Sequence, residues 1–292
     1  MAVPKTLQTL SFGWAILASI GPMISLFGPA EGQSLPFINV WGEQTTLTGV
    51  GLYAAESPFK ASINQGTDAV ILFGLIPVLL WNTFRLRYRP DGSPLWLQAG
   101  LMACALYYSA LQVFEVVFNS LYLVYVGGFS LSFFAFVYSM ILSRRDALQQ
   151  RLTLPYPRTG TLIFLLVAGT SVAVWLLDIA TALRQSRLSA QMGPSVTLPT
   201  YAIDLALIGP TVFLAAWLLY QRAPLGLLLA VVILTLNAFI GFVVIGQTLF
   251  QVKSGIVLSL AQFLPFVAVF VILSSFALVL VVRLLSWPKI SR

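Results

Sequence analysis

Long windows almost free of charge dominate this chain. Eight of them, near residues 8–28, 65–84, 95–118, 120–143, 159–183, 199–220, 224–247 and 256–285, are mostly apolar. Each is about the 20 residues that an α-helix needs to cross the hydrocarbon core of a bilayer. The fold class that follows is all-α: a polytopic transmembrane helix bundle of about eight spans, forming a single domain over residues 1–292. Only 9% of residues are charged, against roughly a quarter in a soluble domain, so the chain cannot cover itself with polar surface. The lipid bilayer is the first partner expected.

Orientation follows from the cations between the windows. With the N-terminus inside, the cytoplasmic segments hold Lys5, Arg85, Arg87, Arg89, Arg144, Arg145, Arg151, Arg158, Arg222, Arg283, Lys289 and Arg292, and the outer segments only Lys60, Arg184, Arg187 and Lys253. Twelve against four is a positive-inside bias, which puts both termini in the cytoplasm and loop 29–64 outside. Met1 to Ala30 has the outline of a signal peptide, but Pro29 beside the cleavage point and the long apolar run favour an uncleaved first span. The net charge of +7 comes from these topology clusters and indicates no nucleic acid.

Histidine is absent and Cys104 is the sole cysteine. Disulfide frameworks, Cys/His metal sites, histidine-ligated haem and Ser-His or Cys-His catalysis are thereby excluded. No metal and no cofactor is indicated.

Loop 29–64 is too long for a simple turn. Phe37 to Trp41, then Gly42-Glu43, then Thr45 to Tyr53 read as a small outer β-hairpin between the first and second spans. Ala54 to Asn64 reads as a short helix on the membrane surface.

The runs Trp41-Gly42-Glu43, Gly51-Leu52-Tyr53, Glu56-Ser57, Gly66-Thr67-Asp68 and "GLIPVLL" at 74–80 resemble a group of uncharacterised bacterial multi-pass membrane proteins. Those proteins begin with one span, a short outer segment with a "GLY" element, and a span opened by a Gln-Asp pair. Here Thr67 precedes Asp68, and Gln65 stands two residues before Thr67. "YLVYVGGFSLSFFAF" at 122–136 and "YAIDLALIGPTVFLAAWLL" at 201–219 are similar too, so the resemblance covers most of the chain. It implies a bacterial plasma (inner) membrane location and carries no activity.

Ionisable groups inside a bilayer cost roughly 2.5–3.5 kcal/mol at its centre on insertion scales, so each needs a buried partner or a wet cavity. In the third span Cys104, Tyr108, Gln112, Glu115 and Asn119 fall on a single helical stripe. The fifth span groups Thr170, Ser171, Asp178 and Thr181, and the sixth groups Thr200, Tyr201, Asp204 and Thr211. Asp68 stands at the mouth of the second span. Together with Asn237 and Gln262 these groups outline an outward-facing, carboxylate-lined cavity for a small solute, a cation or a proton, in which Glu115 and Asp178 approach each other. The other reading is that they hydrogen-bond helix to helix, as is common in bundles, or pair with Arg184, Arg187 and Lys253 near the outer surface. Pro210 beside Gly209, and Pro265, are candidate helix breaks of the kind transporters place at their sites. Gly127-Gly128 and Gly241 to Gly246 suit close helix contact.

A transporter-like protein leads these readings, although no internal repeat supports it. The alternative is a non-catalytic membrane subunit, assembly factor or sensor meeting a membrane-protein partner, or forming a homo-oligomer, through the hairpin. An intramembrane hydrolase pairing Asp178 with Asp204 ranks behind both. Enzyme activity is therefore the weaker expectation.

Overall fold

The computed structural model describes residues 5–149, 158–186, 192, 194–256 and 259–286. Seven helices, α1 (Lys5–Phe27), α2 (Pro58–Tyr88), α3 (Ser93–Phe114), α4 (Tyr122–Gln149), α5 (Thr159–Arg184), α6 (Pro199–Tyr220) and α7 (Pro224–Lys253), are long and apolar enough to cross a membrane. The eighth, α8, runs from Leu260–Phe263 through a π turn at Leu264–Ala268 into the apolar Val269–Leu285. Large side chains such as Ile16, Leu123 and Phe276 lie on the outside of the bundle, the surface expected of a protein that faces lipid. Arg151, Arg187, Lys289, Arg292 and the side chains of Gln262 and Pro265 lie outside the described residues.

Helix α7 is the central post, packed against α2, α3, α4, α6 and α8. Small residues make its contacts close. A Cβ added to Gly66 on α2 would stand 2.5 Å from the Gly246 carbonyl of α7, and one on Gly100 of α3 would stand 2.5 Å from the Thr235 hydroxyl. Either substitution would push a helix off the post.

The hairpin is shorter than the sequence suggests. Strands β1 (Leu35–Ile38) and β2 (Gln44–Leu47) pair antiparallel, with Leu35 opposite Leu47 and Ile38 opposite Gln44. The turn is closed by the Asn39 side chain, whose oxygen accepts from the backbone of Trp41 (3.0 Å) and Glu43 (2.9 Å), a local alternative to ladder bonding that asparagine favours.

Two expectations about helix ends are corrected. Residues 58–64 are not a separate surface helix: Ser57 caps α2 by accepting from the Lys60 N–H (3.2 Å), Pro58 sits at the first turn, and nothing interrupts the helix from there into the span. Helix α3 stops at Phe114 rather than near 118, because the Val117 N–H that would continue it donates instead to the Glu56 carboxylate (2.8 Å). Asn119 is therefore off the α3 stripe; its oxygen accepts from the Leu121 N–H at the entry to α4.

Candidate functional site

Buried polar groups gather at the two ends of the bundle. At the hairpin end, Asp68 on α2 is fully buried and accepts from three hydroxyls on three other segments: Ser25 of α1 (2.5 Å), Tyr53 of the loop (2.7 Å) and Tyr108 of α3 (3.0 Å). Hydrogen bonds to a charged group contribute about 1.5–3 kcal/mol each, enough together to offset the cost of the buried carboxyl. Burial keeps the Tyr53 hydroxyl well above its ordinary value of 10, so it stays a donor. The loop is thereby fastened to the bundle.

Glu56 fastens it a second time. This loop carboxylate is 1% exposed, and burial raises it above the usual 4.5, opposed by the Val117 N–H and by Lys60. One of its oxygens, Oε2, has no hydrogen-bond partner.

Glu115 follows the last residue of α3. It forms an ion pair with Lys60 of α2 and accepts from the Thr200 hydroxyl and from the Thr200 N–H (3.2 Å) at the start of α6. A carboxylate at a helix N-terminus gains from the helix dipole. Three helices thus converge on one side chain. Asp204, on the π turn of α6, accepts from the Tyr107 hydroxyl (3.0 Å) and the Trp175 indole (2.9 Å). Asp178 accepts from Tyr201 (2.9 Å), whose ring stacks on Trp175 at 4.4 Å.

Between α2, α3, α5, α6, α7 and α8, Glu115 and Asp204 with their partners border a cavity of about 310 Å³. Lys60, Glu115 and Thr200 stand at its hairpin end, and Ile71, Leu236 and Phe239 line it farther into the bundle. Its wall includes Tyr108 and Gln112 from α3. Gln112 is 5% exposed and its carbonyl oxygen has no partner.

The cavity also collects the irregular backbone. There are three π turns among the described residues, at Ile71–Leu75, Asp204–Ile208 and Leu264–Ala268, and each gives the wall one residue: Ile71, Asp204 and Val267. Two of them precede a proline in the same register. Pro77 and Pro210 have no N–H to give, and the residue before each, Ile76 and Gly209, donates to the carbonyl five residues back, Ile71 and Asp204. The proline loosens the turn before it, and π turns of this kind recur at functional sites. The expected breaks at Gly209-Pro210 and Pro265 take this form rather than full unwinding.

Of the residues singled out from sequence, Glu115, Asp204, Tyr108 and Gln112 line the cavity. Asp68 lies behind Tyr108, joined to it by a hydrogen bond. Asp178, bonded to Tyr201, is not among the residues that line the cavity with Glu115, whereas Asp204 is, bonded to Tyr107 and Trp175. Asn119 and Asn237 are not in the wall: the Asn237 amide donates to the Ile233 carbonyl of its own helix (3.0 Å). Sequence reasoning missed Lys60, Tyr107 and Trp175. Lys60 looks like an ordinary outer charge until α2 is extended back to Pro58, and the two aromatics carry no polar signature beyond an indole N–H and a hydroxyl.

A second polar network lies at the opposite end and was not anticipated. The Asn82 amide donates to the Gln98 oxygen (2.8 Å), and the Gln98 amide donates to Ser11 (2.9 Å) and Thr83 (3.0 Å). Asp146 of α4 accepts from the Trp96 indole (2.9 Å) and the Gly92 N–H (3.1 Å).

No protein-family model matches the chain, and neither a curated protein nor a solved structure matches it. The functional reading therefore rests on this geometry.

Proposed function

We propose that this is an integral membrane protein of eight spans that binds a small solute in the cavity at its hairpin end and acts in a transporter-like way. The observation that carries this reading is the cavity itself. It is bordered by an ion pair and a further carboxylate, and all three π turns among the described residues contribute to its wall. Two carboxylates, Glu115 and Asp204, thus stand on the wall of an open volume instead of being closed between packed helices. The bias of Lys and Arg supports termini in the cytoplasm and the hairpin outside. The resemblance of the quoted stretches supports a bacterial plasma membrane.

Access to the cavity tests this reading. Thr248 lines it, and Thr248→Cys combined with Cys104→Ala leaves one reporter thiol. In oriented proteoliposomes a membrane-impermeant methanethiosulfonate should modify it from the hairpin side. A folded protein whose thiol reacts from neither side would overturn the proposal.

The second reading, a subunit or sensor that meets a membrane-protein partner, draws on the exposure of Ile38 (64%), Val40 (69%) and Trp41 (56%) on the hairpin. A photo-crosslinking residue in place of Trp41, activated in native membranes, should then give a protein adduct of defined mass.

A further inference from the structure

The charges around the cavity do not balance. Lys60 and Glu115 neutralise each other, but both oxygens of Asp204 are met only by neutral donors, the Tyr107 hydroxyl and the Trp175 indole. Among the described residues no cation pairs with Asp204. Beside it the wall is aromatic, with Trp175, Tyr107 and Tyr201, while Phe239 and Phe270 stand elsewhere in the lining. A carboxylate without a cation among the described residues, beside π faces, presents two features that one chemical group satisfies together. That group is an ammonium, which pairs with carboxylate and is attracted to aromatic faces. The apolar remainder of the lining, Ile71, Leu236, Ile240 and Val243 among it, suits a hydrocarbon body and would not repay a hydrated metal ion for its lost water.

We propose that the cavity takes a monovalent organic ammonium ion with an apolar body, its charge on Asp204 and its body against the aromatic and aliphatic wall. This rests on the reading of the cavity as a binding site and names what that site accepts. Inorganic cations and anions of the same shape are the excluded classes.

Binding of tritiated phenethylamine to the purified full chain in nanodiscs tests it, with empty nanodiscs as the partition control. 2-Phenylethanol and 3-phenylpropionate serve as neutral and anionic competitors of matched shape. Saturable binding is expected, displaced by unlabelled phenethylamine and not by the two competitors. Asp204→Asn should weaken it roughly tenfold or more, the loss typical when one partner of a buried charge pair is removed. Absence of saturable binding, equal displacement by the alcohol or the acid, or undiminished binding in a folded Asp204→Asn protein would each overturn the ammonium assignment. The Thr248→Cys reporter separates the two proposals. A reactive thiol without amine binding removes the ligand class and leaves the cavity reading standing, whereas an unreactive one removes both.

Discussion

The two ends of the bundle solve the same problem differently. Each buries polar side chains among apolar helices, but at the opposite end neutral groups on Gln98, Asn82, Thr83 and Ser11 serve one another, and Asp146 is held by an indole and a backbone N–H. Only the Asn82 oxygen is left over in that network. At the hairpin end the groups are carboxylates on α2, α3 and α6, the donors come from loop and helix alike, and a cavity remains among them. Each end leaves one amide oxygen over, on Asn82 or Gln112, so that does not separate them. The difference lies in whether the polar groups border open volume, and residue type alone does not reveal it.

The comparison breaks first at Asp68. Asp68→Ala should strip three hydroxyls of their shared acceptor and destabilise the protein by on the order of 3 kcal/mol or more, with faster proteolysis within 28–57 as the loop detaches. Thermal unfolding in detergent and timed protease digestion measure both. A loss below that of the next substitution would mean that the loop is not held through this carboxylate. Gln98→Leu at the opposite end should cost about 2 kcal/mol by orphaning its partners, while leaving reporter-thiol access at Thr248 unchanged. Altered access would show that the two ends are coupled.

Glu56 gives a smaller effect with a defined sign. Its carboxyl is raised above 4.5 by burial, so the folded protein holds that proton more tightly than the unfolded chain does. The stability it contributes is fully present below 4.5 and is lost as pH rises through the raised value. Glu56→Gln removes that dependence, and at pH 7 it should unfold at a temperature equal to or above the native protein's, a gain of up to ~1 kcal/mol. A native melting temperature that rises relative to the variant from pH 4 to pH 7 would contradict this. The smallest stability change belongs to Asp204→Asn, within about 1 kcal/mol, because the amide retains an acceptor for Tyr107 or Trp175 and sheds a buried charge. Its effect should appear in amine binding. A large loss of stability there would move Asp204 from the site to the scaffold.

Much of the hairpin end was legible in the sequence, though not its wiring. The i, i+4, i+8 spacing of Cys104, Tyr108 and Gln112 marks one face of α3, and those residues do share the cavity wall. The same arithmetic failed at Asn119, because the Glu56 side chain, distant in sequence, takes the N–H that would have extended the helix. It failed to distinguish Asp178 from Asp204 because the difference is made by the stacked Trp175 and Tyr201 between their bonds. Pro77 and Pro210 announce helix irregularity, but not that both π turns open onto the same volume.

What the sequence determined by itself is the set of helices apolar enough to cross a membrane, together with the hairpin between the first two. Length, hydropathy and turn chemistry are local properties, and a bilayer demands that each span satisfy its own backbone. The tertiary structure decided which polar groups find partners: Lys60 with Glu115, Asp68 with three hydroxyls and, among the described residues, Asp204 with donors but no cation and Gln112 with nothing for its oxygen. Pairing is a matter of a few ångströms between segments far apart in the chain, and periodicity within one helix carries no information about that distance.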